Sequence, residues 1–179
     1  MSFIKDQIEK AHKKGGLVCV CLGKIEWNRR IIGYVRNIYA FKFKLEIIDE
    51  FGQKKKTKIV LFDAVKSLEI GGIYNDSLHK LSKGRWMKSA AAPKYAIVGK
   101  NDLYKKLNEL MEARTVCTFF FGTEFSIGKV TEVTQEEFCI LNIAFDGTSD
   151  GASVFNKVSL TKIRWASNFE RRISFLAKL

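Results

Sequence analysis

The chain has 179 residues, 46% of them hydrophobic and 14 of them Phe, which excludes a largely disordered polypeptide and admits either one domain or two modules of roughly 80 to 90 residues. A single Pro and the lack of any Ser/Gly tract exclude a proline-rich or low-complexity chain. No apolar run approaches the roughly 18 residues of a membrane span, and no apolar stretch follows a basic start, so a cytoplasmic protein without membrane association is expected.

A net charge of +12 and a pI near 9.6 favour a polyanionic partner. The charge is uneven: residues 1–90 hold 19 Lys/Arg against 9 Asp/Glu, and residues 91–179 hold 12 against 10.

Residues 3–14 space Ile4, Ile8 and Ala11 at helical intervals and stop at Gly15-Gly16, which predicts a short amphipathic helix. Strand-like runs follow at Leu17–Leu22, Ile31–Ile38, Phe41–Ile48, Lys58–Phe62 and Ser67–Ile70, and helical text around Tyr74, Leu78 and Leu81 closes the set. Ser82–Lys100 is read as a linker, with Trp86 packing on the module before it or after it. The order then repeats: a helix with Leu103, Leu107 and Leu110, strands at Thr115–Phe121, Ser126–Val133, Phe138–Phe145, Ala152–Val158 and Lys162–Ala166, and a last helix. Ser167-Asn168-Phe169-Glu170 has capping-box spacing and fixes the start of that helix.

The two halves align residue by residue. An offset of 95 carries Gly33 onto Gly128, Phe43 onto Phe138, Gly52 onto Gly147, Leu68 onto Ile163, Tyr74 onto Phe169 and Leu81 onto Leu176, without a gap over residues 33–81. Upstream the offset is 99, carrying Ile4 onto Leu103, Val20 onto Phe119 and Gly23 onto Gly122. The difference falls between Gly23 and Gly33, where the first copy carries a longer hairpin. Domains are expected at 1–82 and 101–179, joined by a linker at 83–100.

A helix, an apolar strand ending in Gly (Val18–Gly23), a Gly-x-Val (Gly33-Tyr34-Val35), a second apolar strand (Phe41–Ile48), an acidic-Gly turn (Asp49–Gly52) and a closing strand pair (Lys58–Ile70) resemble the Sm or Lsm family. The resemblance covers most of both halves and implies two tandem SH3-type, Sm-like small β-barrels flanked by short helices, with RNA as ligand. It also has departures. Where Sm proteins carry an Asp and a base-contacting Asn, this chain has Tyr39 and Phe43, then Thr134 and Phe138, and the Arg-Gly of the second Sm motif is missing. The typical uridine pocket and a ring of subunits are therefore not implied.

Catalytic material is sparse. His12 and His79, the only histidines, read as solvated groups in Lys-rich helices, and no Walker, Rossmann or Gly-x-Ser-x-Gly spacing occurs. Cys19, Cys21, Cys117 and Cys139 sit in apolar strands and read as buried reduced thiols, with no metal or other cofactor expected. A non-catalytic binding protein is expected.

The basic residues carry the candidate site. Trp27, Arg29 and Arg30 lie in the hairpin that only the first copy extends, placing an aromatic face beside two guanidinium groups. In Phe41–Leu45 the alternation puts Lys42 and Lys44 on one face and the Phe and Leu side chains toward the core. Arg36, Lys54, Lys55, Lys56 and Lys58 extend the charge into a surface suited to phosphates, with RNA or another polyanion as expected partner. A protein-docking module, such as an immunity protein or assembly adaptor, is the alternative. Self-association through barrel edges is compatible with either.

Overall fold

The computed structural model describes residues 3–22, 30–84, 86–97, 99 and 102–178. The chain divides into two compact units, Met1–Met87 and Lys88–Leu179. Among the described residues it is mainly β, with four short helices and two antiparallel sheets.

The first unit runs α1 (Phe3–Lys14), β1 (Leu17–Cys21), β2 (Arg30–Ile38), β3 (Lys42–Ile48), β4 (Lys54–Leu61), β5 (Ser67–Ile70) and α2 (Ile73–Lys83). Its sheet has the order β4-β3-β2-β1-β5. The second unit runs β6 (Lys94–Ile97), α3 (Leu103–Glu112), β7 (Cys117–Phe121), β8 (Glu124–Val133), β9 (Glu137–Ile143), β10 (Ser149–Asn156), β11 (Lys162–Trp165) and α4 (Asn168–Leu176), in the order β10-β9-β8-β7-β11-β6. Short 3₁₀ turns at Phe62–Ala64 and Lys157–Ser159 occupy the same place in each copy.

The first sheet is buried on both faces along β1. Val18 and Val20 of β1 join Ile8, Ala11, Phe43, Leu45 and Val60 in one core, while Leu17, Cys19 and Cys21, also buried, alternate with them. α1 packs on β1 and β2, and α2 on β1. In the second unit Phe119, Phe138, Ile140 and Ile163 form the corresponding core. A smaller cluster of Val116, Ile127, Ile143 and Ile173 packs with Phe169 of α4.

The 95-residue offset has a physical cause. A Cβ on Gly33 would run into the Glu46 carbonyl, and one on Gly128 into the Leu141 carbonyl, so β2 and β8 approach their neighbours more closely than any side chain permits. Gly52 has φ +75° and its missing Cβ would stand 2.8 Å from the Ser82 nitrogen; Gly147 has φ +88° and stands 2.5 Å from the Ala177 nitrogen. Both turns thus dock under the end of the closing helix. The β2–β3 register shifts between Val35 and Asn37, and the β8–β9 register between Val130 and Glu132, again one repeat apart.

Two expectations are corrected. Neither sheet closes into a barrel among the described residues: β4 pairs with β3 and β5 with β1, and no β4–β5 pairing links the ends. β5 is only four residues long, and its equivalent β11 has its outer edge taken by β6. The expected linker at 83–100 is likewise partly structured. Trp86 is buried and stacks on Phe51 with ring centroids 5.2 Å apart, and β6 is a sixth strand whose Ala96 enters the second core opposite Ile163. No described helix is long and apolar enough to cross a membrane.

Candidate nucleic-acid interface

The turn from β2 to β3 is closed by the Tyr39 amide donating to the Lys42 carbonyl at 2.8 Å. Because Tyr39 and Phe41 precede the alternation of β3, their rings leave the core: they are 47% and 64% exposed. This corrects the expectation for Phe41, since β3 begins one residue later, at Lys42. Phe43 and Leu45 are buried as expected. Lys42 Nζ stands 5.7 Å from the Tyr39 ring centroid and 5.4 Å from that of Phe41, within cation–π reach. Opposite Lys42 and Lys44 in the register lie Leu61 and Ile59, both exposed. Two rings, two ammonium groups and two apolar side chains therefore share one surface.

The second unit keeps this backbone and changes its chemistry. Thr134 donates to the Glu137 carbonyl at 2.9 Å, as Tyr39 does to Lys42, and the Lys157 amide donates to the Glu136 carbonyl where the Phe62 amide donates to that of Phe41. In place of Tyr39-Ala40-Phe41-Lys42 stands Thr134-Gln135-Glu136-Glu137. A cationic aromatic turn in one copy is an anionic one in the other.

Among the described residues three of the predicted cations have a carboxylate partner: Arg30 pairs with Glu69, and Arg36 and Lys54 pair with Glu46. Arg36 Nε donates to Glu46 at 3.1 Å and its second nitrogen bonds the same oxygen, while Lys54 Nζ reaches the other at 2.9 Å. The hydrogen bond from Arg36, then that from Lys54, holds the Glu46 carboxyl below its usual range. The Arg36 guanidinium also lies 5.1 Å from the Tyr34 ring centroid. Sequence reasoning did not single out Glu46; its only signal was an acidic residue amid the lysines of β3.

Arg30, Lys55, Lys56 and Lys58 line a different feature, a cleft of about 470 Å³ that also borders Tyr74 and Leu78 of α2. The ten predicted residues are thus not one surface. Lys42 and Lys44 flank the aromatic turn, Arg36 and Lys54 surround Glu46, and four others line the cleft. Trp27 and Arg29 lie outside the described residues.

Each histidine has a hydrogen-bond partner, His12 while exposed and His79 while half-buried. His12 Nδ1 donates to the Val35 carbonyl at 2.8 Å, where the β2 register shifts. His79 is half-buried within α2, 3.2 Å from the Tyr34 hydroxyl, and so differs from the solvated group expected. All four cysteines are free thiols, and among the described residues no three His, Cys, Asp or Glu side chains gather as a metal site. Burial, then the Glu69 charge, pushes the Cys19 thiol up, away from nucleophilic use.

One buried charge in the second unit is satisfied throughout. Glu170 is 1% exposed and accepts hydrogen bonds from the Ser167 amide at 3.0 Å, the Ser167 hydroxyl, Thr118 Oγ1 at 2.6 Å and Arg164 Nε at 2.8 Å. It completes the capping box of α4. Burial alone pushes its carboxyl up, but the donors from Ser167, Thr118 and Arg164 outweigh that and leave it below the usual range.

Comparison of the chain with protein-family models, with curated proteins and with solved structures finds no match.

Proposed function

We propose that this chain is a non-catalytic, cytoplasmic RNA-binding protein built from two tandem, divergent Sm-like modules of SH3 type, with the first module carrying the contacts. The observation that carries this reading is the Tyr39–Lys44 surface: exposed rings beside ammonium groups supply a sequence-tolerant stacking platform together with phosphate neutralisation. The order of helix, five antiparallel strands and closing helix in each unit supports the module assignment. Phe43 and Phe138, which stand where an Sm protein presents a base-contacting Asn, are buried, so base readout of the usual Sm type is not part of the proposal. Other single-stranded polyanions share this chemistry.

A protein-docking role has its own support: β4 is the end strand of its sheet and carries Ile59 and Leu61 exposed. The two readings separate in one titration. Fluorescence anisotropy with a mixed-sequence 20-nucleotide RNA, at two salt concentrations, should show salt-sensitive binding. The triple variant Tyr39→Thr, Phe41→Glu, Lys42→Glu, which installs the second copy's residues on the same backbone, should weaken it at least about tenfold and flatten its salt dependence. Unchanged affinity would overturn the site assignment, and no binding at low salt would move the function to protein docking.

A further inference from the structure

The cations absent from the aromatic turn gather elsewhere, in a place with a different shape. Two hollows of the first unit share Arg30, Ile32 and Tyr74 on a common wall. One, about 570 Å³, runs along Cys19, Ile32, Ile73 and Tyr74 at the start of α2. The other, about 470 Å³, is bordered by Lys55, Lys56 and Lys58. Both fall in the range of roughly 300 to 1,000 Å³ that small ligands occupy.

We infer that this joined cleft is a site for a nucleoside phosphate, its phosphates against Arg30, Lys55, Lys56 and Lys58 and its base against Ile73 and Tyr74. The division of the walls carries the inference. Exposed Ile73 lines the first hollow and Lys55, Lys56 and Lys58 line the second, while Arg30 and the exposed Tyr74 ring border both, so the fitting ligand is amphipathic and polyanionic rather than a bare anion. Arg30 Nη1 donates to Glu69 at 2.6 Å, which orients a guanidinium whose planar fork suits phosphate oxygens. The carboxylates at the cleft are Glu69, Asp49 and Glu50. Asp49 accepts the Phe51 and Gln53 amides at 2.9 and 3.0 Å and is thereby engaged within its own turn.

The duplication supplies an internal comparison. The equivalent cleft of the second unit, about 410 Å³, is lined by Phe125 for Arg30, Phe145 for Glu50, Asp150 for Lys55 and Ser153 for Lys58, with no cation along it. The first hollow has its own replacement there: at the places of Cys19, Glu69, Gly72 and Asn75 stand Thr118, Arg164, Ser167 and Glu170, joined in the buried network. The first copy therefore opens and charges a region that the second fills.

Isothermal titration of the full chain with ADP and with inorganic pyrophosphate tests this. ADP should bind, and more tightly than pyrophosphate. Lys55→Asp with Lys58→Ser, residues the second copy already carries at those places, should weaken both at least about tenfold without moving the unfolding midpoint, and Tyr74→Ala should weaken ADP alone. Phe41→Glu with Lys42→Glu, outside the cleft, should leave ADP affinity intact. A lack of ADP binding at low salt, equal binding of ADP and pyrophosphate, wild-type affinity in the lysine variant, or loss of ADP binding in the Phe41/Lys42 variant would each overturn the site. Displacement of ADP by a 5′-phosphorylated oligonucleotide, and not by its 5′-hydroxyl form, identifies the natural source as a strand end; no displacement by either identifies a free nucleotide.

Discussion

Gly15 and Arg114 occupy the same place in the two copies, as do Gly71 and Ala166, and all four adopt positive φ: +62° and 47° in the first pair, +78° and 62° in the second. The same chain reversal is therefore made with Gly in the first unit and with a side chain in the second. The two units keep a backbone in common while the residues on it differ, and the difference teaches where the second unit gains stability to spend on strain. Its buried Glu170 network ties β7, β11 and α4 together, where the first unit has Cys19, Glu69 and Asn75 at a cleft wall.

The largest expected effect breaks that network. Glu170→Gln should cost about 3 kcal/mol by leaving Arg164 and Thr118 without their charged partner, measured by urea unfolding of the full chain, whereas Asn75→Ala in the first unit should cost less. The effect carries a pH signature. Because the folded carboxyl lies below its unfolded value, its contribution is fully present above about pH 4.3 and is lost as pH falls through the folded value. Stability of the wild type should thus fall more steeply on acidification than that of Glu170→Gln; parallel curves would sink the assignment.

Next in size come the close-approach glycines. Gly33→Ala and Gly128→Ala should each destabilise their own unit by about 1 to 3 kcal/mol, since the obstructing atoms are backbone. Amide hydrogen exchange resolves the units and should show each substitution loosening its own sheet. The smallest effect has the opposite sign. Ala166→Gly should relieve left-handed strain and stabilise the second unit by up to about 1 kcal/mol, read in the same unfolding experiment, while Gly71→Ala should destabilise the first.

Much of this fold was legible in the sequence because its repeated glycines answer to geometry. Gly33, Gly52, Gly128 and Gly147 mark places where backbone meets backbone, and those contacts impose the register of the two copies. β6 was not legible: Lys94–Ile97 is four residues long, follows Pro93 and has no counterpart among the described residues of the first unit, and only its pairing with β11 makes it a strand. Closed barrels did not follow from the strand pattern, because alternation reports which face a residue takes and not whether end strands meet. The candidate site was half legible. Charge density along β3 and β4 was plain, yet the division of those cations between an outer surface, Glu46 and a cleft depends on pairing across strands. Phe41 was misplaced because alternation was carried one residue past the start of β3, and its exposure is what turns a basic strand into a platform.

The sixth strand also sets an order of events during synthesis. Among the described residues β6 pairs only with β11, about 65 residues further along the chain, and β11 pairs with both β6 and β7. At on the order of 5 to 20 residues per second, β6 leaves the ribosome several seconds before its partner exists. Throughout that interval Lys94–Ile97 awaits the partner that makes it a strand, and β11, once made, pairs with both β6 and β7. The sheet of the second unit is accordingly joined to β6 only after the rest of its strands have been made.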